Sequence, residues 1–141
     1  MRVRCGKDCE LLIGVDLKKD KTILHRAYND SAGVTAAFNS NILARLNCEF
    51  GANFELDKFK HHAFYNEQAG RIEMHLVSLR DQTVRVNGRV ISFRAGERIW
   101  TESSYKYTVT EFANLAAQAG FKLKKVWTDS RHWFSVQYFT P

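Results

Sequence analysis

The hydrophobic and polar positions of this chain follow first a strand pattern, then a helical pattern, and then strand patterns again. The first apolar run, Leu11-Leu12-Ile13-Gly14-Val15, is short and continuous, which is typical of a buried strand. A strand that is apolar on both faces normally lies inside a parallel sheet covered by helices. We therefore expect a central strand here, and we expect the rest of its sheet to lie upstream of this sequence.

Two helices are predicted after this strand. Asp20 can cap a short helix that ends at Ala27. A longer helix is predicted from Gly33 to about Phe50, because apolar residues recur there every four positions and Gly51 supplies a C-terminal stop. The four-residue stripe consists of Val34, Phe38, Ile42, Leu46 and Phe50, and Ala37 and Leu43 widen it. Such a stripe is most often a packing face, so we expect it to be buried.

Strand-like alternation replaces the helical period in the middle of the chain. Residues 71–78 place Ile72, Met74 and Leu76 on one face. Asn87-Gly88 stands between two β-prone runs, and this dipeptide is the strongest short signal for a hairpin. These segments predict an antiparallel sheet.

The last part of the chain predicts one more helix and two strands. Thr110 is a candidate N-cap for a helix over Glu111–Ala119, which Gly120 ends. The segments Phe121–Trp127 and Trp133–Phe139 follow as strands, joined by a polar loop.

Composition narrows the class of protein. The chain has 141 residues, 45% of them hydrophobic, with 10 Phe, 5 Tyr and 3 Trp, which excludes a disordered tail and predicts one domain with a sizeable core. No apolar stretch reaches the roughly 20 residues that span a bilayer, and no signal core follows Met1, so we expect a cytoplasmic protein without a membrane partner. The cysteines, Cys5, Cys9 and Cys48, are expected to be reduced thiols.

The net charge of +6 allows an anionic partner. The basic residues are scattered, however, so a solvated basic surface is the simpler interpretation and no nucleic-acid partner is expected. One alternative is a module that recognises RNA through strand aromatics such as Phe64, Tyr65 and Phe93, although the Lys/Arg-Gly-Phe motif of such sheets is missing. A self-sufficient carrier of a small molecule is a further alternative.

The densest polar and aromatic cluster is Thr101-Glu102-Ser103-Ser104-Tyr105-Lys106-Tyr107. On a strand, Glu102, Ser104 and Lys106 share one face. A carboxylate and a hydroxyl two residues apart could hold both nitrogens of a planar heterocycle, whereas the simpler alternative is a surface strand with a Glu–Lys pair. No metal site is predicted, because His61 and His62 would face opposite ways on a strand and the other histidines are dispersed.

Four ordered motifs give the chain a resemblance to a known family. The first two are Gly14-Val15-Asp16-Leu17-Lys18-Lys19-Asp20 and Ala27-Tyr28-Asn29-Asp30-Ser31-Ala32-Gly33-Val34-Thr35-Ala36-Ala37-Phe38-Asn39. The other two are Arg71-Ile72-Glu73-Met74-His75-Leu76 and the cluster at residues 101–107. In this order, from about Leu11 to Phe139, they resemble the C-terminal half of the histidine-specific, S-adenosylmethionine-dependent methyltransferases of the ergothioneine pathway.

The resemblance implies an α/β fold, or α+β for the isolated fragment. In that family, a Rossmann-like methyltransferase sheet is interrupted by a substrate-binding insertion made of an antiparallel sheet and helices. The resemblance assigns residues 1–17 to a late strand region of that sheet, 18–107 to the insertion, and 108–141 to a closing helix and two strands with an antiparallel finish. The family has a Gly-rich cofactor loop upstream, and this sequence has none. We therefore expect a fragment that does not bind S-adenosylmethionine tightly alone and that pairs with a missing N-terminal methyltransferase half or self-associates.

The resemblance also implies an activity and a set of substrate-binding residues. The complete enzyme would methylate the α-amine of histidine to trimethylhistidine, with no catalytic residue separable from substrate binding. Tyr28 resembles the tyrosine that binds the substrate carboxylate, and Glu102 and Ser104 resemble the pair that holds the imidazole nitrogens. Met74 resembles a wall of the ring pocket, and Phe38 borders the amine as it gains methyl groups. Related methyltransferases act on other amino acids, so another amino-acid amine is the alternative substrate.

Overall fold

A computed structural model describes residues 8–141, which divide into two units. One unit combines residues 8–20 with Tyr105–Pro141, and the other is Lys21–Ser104. The predicted insertion, residues 18–107, extends slightly beyond this second unit at each end. The predictions for Cys5 and for the start of the first segment lie outside the described residues, whereas Cys9 and Cys48 are free thiols.

The fold is mixed α/β, as predicted. Its helices within residues 8–141 are α1 (Lys21–Tyr28), α2 (Val34–Phe50) and α3 (Val109–Gln118), with a short 3-10 helix at Leu56–Lys58. Its strands are β1 (Leu11–Asp16), β2 (Phe59–Asn66), β3 (Arg71–Ser78), β4 (Gln82–Val86), β5 (Arg89–Phe93), β6 (Arg98–Tyr105), β7 (Lys122–Thr128) and β8 (Phe134–Thr140). No helix in this described range has both the length and the apolarity needed to cross a membrane.

The sheet of the first unit has the order β1-β8-β7, and its neighbouring strands are antiparallel. Gly14 interrupts the apolar run of β1 because a Cβ there would stand 2.6 Å from the ring of Phe134. The burial of β1 alternates, with Val15 buried and Leu12 65% exposed. The described sheet and helix thus cover one face of β1 and leave Leu12 exposed on the other. The antiparallel finish expected for the last two strands is present.

The closing helix α3 begins earlier than predicted. Thr108 Oγ1 accepts the Glu111 N–H at 3.1 Å, and Glu111 Oε2 accepts the Thr108 N–H at 2.7 Å. Thr108 is therefore the N-cap, and the prediction of Thr110 is wrong because the capping box needs a Glu three residues after the cap. The helix packs Ala116 against Phe121 and Phe139, which form the core of the first unit.

Lys106 is buried in the first unit, where its Nζ lies 2.8 Å from Asp16 Oδ2. Lys19 binds the other oxygen of the same carboxylate. Burial alone raises the pKa of Asp16, but the hydrogen bonds from Lys106 and Lys19 outweigh it and hold that pKa below its ordinary value. Strand β6 ends at Tyr105, so the interpretation of Lys106 as a surface-strand partner of a glutamate is wrong.

The second unit contains a sheet of order β2-β3-β6 and a separate β4-β5 hairpin. Strands β2 and β3 are antiparallel, with Phe59 opposite Ser78. The hairpin turns at Asn87 and Gly88, whose φ values are 47° and 77°. Two consecutive positive φ angles are what a type I′ turn requires, so the hairpin prediction is confirmed.

Helix α2 has the predicted bounds but buries only part of the predicted stripe. Three residues of the apolar stripe, Val34, Phe38 and Phe50, are 69%, 67% and 52% exposed, whereas Asn39 and Leu43 are buried. The prediction that the stripe is a packing face is wrong for these three residues, whereas Leu43 and Leu46 do pack in the core of the unit. Hydrogen bonds fix this neighbouring face to the rest of the unit: Asn39 Nδ2 donates to the His75 carbonyl, and the Asn47 amide exchanges two bonds with the Phe54 backbone.

Candidate functional site

A cavity of about 210 Å³ opens between α2 and the β3-β6 part of the sheet, inside the second unit. Its lining residues are Phe38, Asn39, Asn41, Ile42, Arg45, Met74, Thr101 and Glu102. The lining therefore combines apolar side chains with a carboxylate, a guanidinium and amides, which is the mixture of an apolar wall and a few polar groups typical of a small-molecule site. Phe38, Met74 and Glu102, which the motifs singled out, lie on this one cavity.

Tyr28 and Ser104, the other two predicted residues, contact each other. Tyr28 Oη donates a hydrogen bond of 2.9 Å to Ser104 Oγ, which connects the end of α1 to the end of β6. Tyr28 also packs against the small core formed by Leu24, Ala63, Ile72 and Met74. Met74 thus contributes to this core and to the cavity wall, and it links the two groups of predicted residues.

Strand β6 carries Glu102 beside β3. Thr101 Oγ1 donates to the Met74 carbonyl at 2.9 Å, and Trp100 Nε1 donates to the Glu102 carbonyl at 3.0 Å. These bonds hold the backbone on both sides of Glu102. Glu102 itself is exposed. Its carboxylate is available to a ligand at the cavity.

Four cavity residues on α2 were not predicted from their chemistry. Asn41 and Ile42 follow Phe38 by three and four positions, and Arg45 follows it by seven, which places them on one helical face. Arg45 makes a forked contact with Glu49, with Nε 2.9 Å from Oε1. The signal that could have identified them is the four-residue stripe itself, if it is interpreted as a ligand face. The fourth of these unpredicted cavity residues is Asn39.

The opposite face of β3 carries a buried ion cluster. Arg71 Nη2 lies 2.8 Å from Glu73 Oε1, and Asn66 Nδ2 donates to the same oxygen at 3.0 Å. Burial alone raises the pKa of Glu73, but hydrogen bonds from Arg71, Asn66 and His75 outweigh it and hold that pKa below its ordinary value. This cluster holds β3 in place. Met74 lies on the same strand, between Glu73 and His75.

The aromatics of the RNA alternative do not form one exposed surface. Phe93 is buried in the core with Phe54 and Phe59. Phe64 stacks on the His75 ring at a centroid distance of 5.5 Å, and Tyr65 packs against the core that contains Met74. Bases stack on aromatic rings that are presented to solvent, so this arrangement gives the RNA alternative no support.

Comparison with known proteins identifies relatives along most of the chain. The sequence profile of a family described as histidine-specific methyltransferase, SAM-dependent, matches residues 1–141. The histidine N-alpha-methyltransferase of Mycolicibacterium smegmatis is 46% identical over 121 residues, which are 84% of this chain and 38% of that protein. This chain therefore spans little more than a third of the length of that relative.

More distant relatives carry other names. Ergothioneine biosynthesis protein 1 of Neurospora crassa is 32% identical over 126 residues, which are 87% of this chain and 14% of that protein. The L-tryptophan methyltransferase trpM of Psilocybe serbica is 27% identical over 123 residues, which are 86% of this chain and 34% of that protein. Similarity thus extends to proteins named for different amino acids.

Proposed function

Because the chain belongs to the family of histidine-specific, S-adenosylmethionine-dependent methyltransferases, we propose that it forms the amino-acid-binding side of a histidine N-methyltransferase. In this proposal, an N-terminal methyltransferase segment supplies the cofactor site. We call the combination of that segment with this chain the complete enzyme. Its product is histidine methylated on the α-amine, up to trimethylhistidine.

The observation that carries the proposal is the convergence of Phe38, Met74 and Glu102 on one cavity. A carboxylate accepts the N–H of an imidazole ring, and an apolar wall covers the ring face. An aromatic side chain such as Phe38 suits an amine that becomes a permanent cation as it gains methyl groups. Tyr28 and Ser104 are proposed to complete the site with hydroxyl groups for the carboxylate and the ring.

The described residues do not fit a site for S-adenosylmethionine. A strand-to-helix turn that approaches a nucleotide-type cofactor closely uses glycine, because a side chain would keep the backbone away. The two such connections within residues 8–141 are residues 17–20, before α1, and residues 106–108, before α3, and neither contains glycine. We place the cofactor site in the N-terminal segment, and we assign no step of methyl transfer to cofactor contacts of this chain.

The contribution of this chain is to position the amino acid. A methyl group can be accepted only by an uncharged amine whose lone pair is aimed at the methyl carbon, so orientation supplies most of the rate enhancement. Glu102 and Ser104 hold the ring, Tyr28 holds the carboxylate, and the α-amine is thereby fixed near Phe38. No covalent intermediate on a side chain of this protein is needed.

A second candidate is methylation of another amino acid. The similarity to a protein named L-tryptophan methyltransferase supports this second candidate. An indole ring presents one N–H and has no second ring nitrogen, so a Glu–Ser pair selects imidazole over indole. The two candidates therefore differ in the dependence of activity on Glu102 and Ser104.

The test is a competition between amines in the complete enzyme. Histidine and tryptophan are supplied together with S-adenosylmethionine, and products are identified by mass spectrometry. The proposal expects methylated histidine as the main product, with mono-, di- and trimethylated forms appearing in succession. Methylated tryptophan with unmodified histidine would support the second candidate and overturn the first.

A further inference from the structure

Asn39 stands out among the cavity residues because it is buried and polar. It is 3% exposed, and it lies on the face of α2 that packs against the sheet. Its amide nitrogen donates two hydrogen bonds, one to His61 Nδ1 at 2.9 Å and one to the His75 carbonyl at 3.1 Å. Each amide hydrogen therefore has a protein acceptor.

The orientation of the Asn39 amide follows from its partners. A backbone carbonyl can only accept, so the atom next to the His75 oxygen must be the nitrogen. His61 gives the same answer, because its Nε2 lies 2.8 Å from the Tyr28 carbonyl and must carry the ring hydrogen. Its Nδ1 is then an acceptor in the neutral ring, and it requires the Asn39 nitrogen as donor. Two independent partners thus fix the amide in one orientation.

This orientation leaves Oδ1 as the Asn39 atom that can still accept a hydrogen. Asn39 is one of the residues that line the cavity. An acceptor on the wall of a ligand cavity favours ligands that bring a donor, because an unmatched acceptor loses its bond to water on binding. Hydrogen bonds extend from Asn39 through His61 to the Tyr28 backbone carbonyl. The side chain of Tyr28 in turn donates its hydroxyl hydrogen to Ser104 Oγ.

We propose that Asn39 Oδ1 accepts a nitrogen-bound hydrogen of the amino-acid substrate. It thereby selects substrates that present an N–H donor at this position. His61 is a positioning residue in this proposal, since it holds the Asn39 amide in the accepting orientation without touching the substrate. The ligand chemistry is an N–H donor, which the α-amine and the imidazole ring of histidine both provide. The inference rests on the proposed function and adds a residue to its site.

The test compares histidine with methylated analogues in the complete enzyme. Affinity is measured by calorimetric titration in the presence of S-adenosylhomocysteine, for histidine, for histidine trimethylated on the α-amine, which has no N–H left there, and for histidine methylated on either ring nitrogen. Asn39→Ala should weaken histidine binding about tenfold, as the loss of one hydrogen bond to a buried acceptor predicts. The weakening should disappear for the analogue whose methyl groups replace the bonded hydrogen, which identifies the nitrogen involved.

His61 variants test the positioning role. His61→Gln can still donate to the Tyr28 carbonyl and accept from Asn39, so it should keep most of the affinity for histidine. His61→Leu can do neither, and it should lose the preference for histidine over the same methylated analogue as Asn39→Ala does. Cys48→Ala, an exposed position on the same helix, is the matched control and should bind like the wild type.

The outcomes separate the inference from the proposed function. Wild-type enzyme that binds and methylates histidine, with unchanged affinity in Asn39→Ala, overturns the inference and leaves the function. If Asn39→Ala weakens the binding of histidine and of every analogue equally, the inference is also overturned, because Asn39 then binds no particular N–H. Wild-type enzyme that neither binds nor methylates histidine overturns both. If Asn39→Ala does not fold, the two His61 variants and the analogue series on the wild type decide the question in the same way.

Discussion

Tyr28 and Ser104 are 76 positions apart in the chain, yet the Tyr28 hydroxyl donates a hydrogen bond of 2.9 Å to the Ser104 hydroxyl. In the proposed function, these residues bind opposite ends of a histidine, Tyr28 at its carboxylate and Ser104 at its ring. Because the two hydroxyls are within bonding distance of each other, a ligand that uses both must exchange this bond for bonds to itself. The bond therefore holds both side chains in place before the substrate arrives.

Removal of the Tyr28 hydroxyl should affect binding more than folding. In the complete enzyme, Tyr28→Phe is expected to weaken histidine binding about five- to tenfold, because one hydrogen bond to the substrate carboxylate is lost. Ser104→Ala should weaken it to a similar degree, and the double variant should lose less than the two effects multiplied, since the residues act as a pair. Calorimetric titration with histidine measures this coupling. Strict multiplication of the two effects would show that the hydroxyls act independently.

Glu102 should select for a ring that donates a hydrogen. Glu102→Ala in the complete enzyme is expected to weaken histidine binding at least tenfold, because a charged hydrogen bond contributes more than a neutral one. Glu102→Gln keeps the size of the side chain and an acceptor oxygen, so it should lose less. Titration of each variant with histidine gives the comparison, and unchanged affinity in Glu102→Ala would remove Glu102 from the site.

Phe38 and Leu43 provide a matched pair on helix α2. Leu43 is 1% exposed and Phe38 is 67% exposed. Leu43→Ala is expected to lower the free energy of unfolding by about 2–5 kcal/mol, because it leaves a cavity in a packed core. Phe38→Ala should change it by less than about 0.5 kcal/mol, as is usual for an exposed position. Urea unfolding measures both values.

Phe38 should affect methylation even though it contributes little to stability. Phe38→Ala in the complete enzyme should slow the third methylation most, because only that transfer turns the amine into a permanent cation, which the aromatic face stabilises. The ratio of di- to trimethylated product reports this effect. A large stability loss in Phe38→Ala would restore the interpretation of the stripe as a packing face.

Asp30 should make the stability of the second unit depend on pH in acid. Its carboxylate accepts the backbone N–H groups of Thr35 at 2.9 Å and Val34 at 2.8 Å, at the start of α2. The bonds from Thr35, and then that from Val34, lower the pKa of Asp30 from 3.8 to about 2. A carboxyl group with a lowered folded-state pKa stabilises the fold above pH 3.8, and this contribution is lost as the pH falls towards 2.

Asp30→Asn tests this dependence, because the amide does not titrate. The difference in free energy of unfolding between the wild type and Asp30→Asn should be largest at neutral pH and should shrink between pH 4 and pH 2. Urea unfolding at several pH values gives the curve. A difference that stays constant over this interval would show that the Asp30 carboxylate does not stabilise the start of the helix.

Local patterns predicted local structure well in this chain. The Asn87-Gly88 dipeptide requires positive φ angles and gave the hairpin, and the glycines around residues 34–50 bounded α2. The periodicity of α2 predicted only part of the buried face. The stripe contains Leu43 and Leu46, which pack in the core, but its wider extent did not show that Asn39 and Asn47 bind the rest of the unit on that side.

The candidate site could be predicted only in part. The motifs pointed to Phe38, Met74 and Glu102, which line one cavity, and to Tyr28 and Ser104, which contact each other. Asn39 and His61 could not be found in the same way. Their contact joins positions 22 residues apart, and the orientation of the Asn39 amide depends on two backbone carbonyls that have no signature in the sequence.

The most direct test of the account is methyl transfer by the complete enzyme. The chain and the N-terminal methyltransferase segment are mixed with S-adenosylmethionine bearing a labelled methyl group and with histidine, and the label is followed into products by mass spectrometry. The account predicts label on the α-amine of histidine in the mixture, and much less label at the same histidine concentration when Glu102 and Ser104 are both replaced by alanine. A well-folded mixture that binds the cofactor and leaves histidine unlabelled would contradict it.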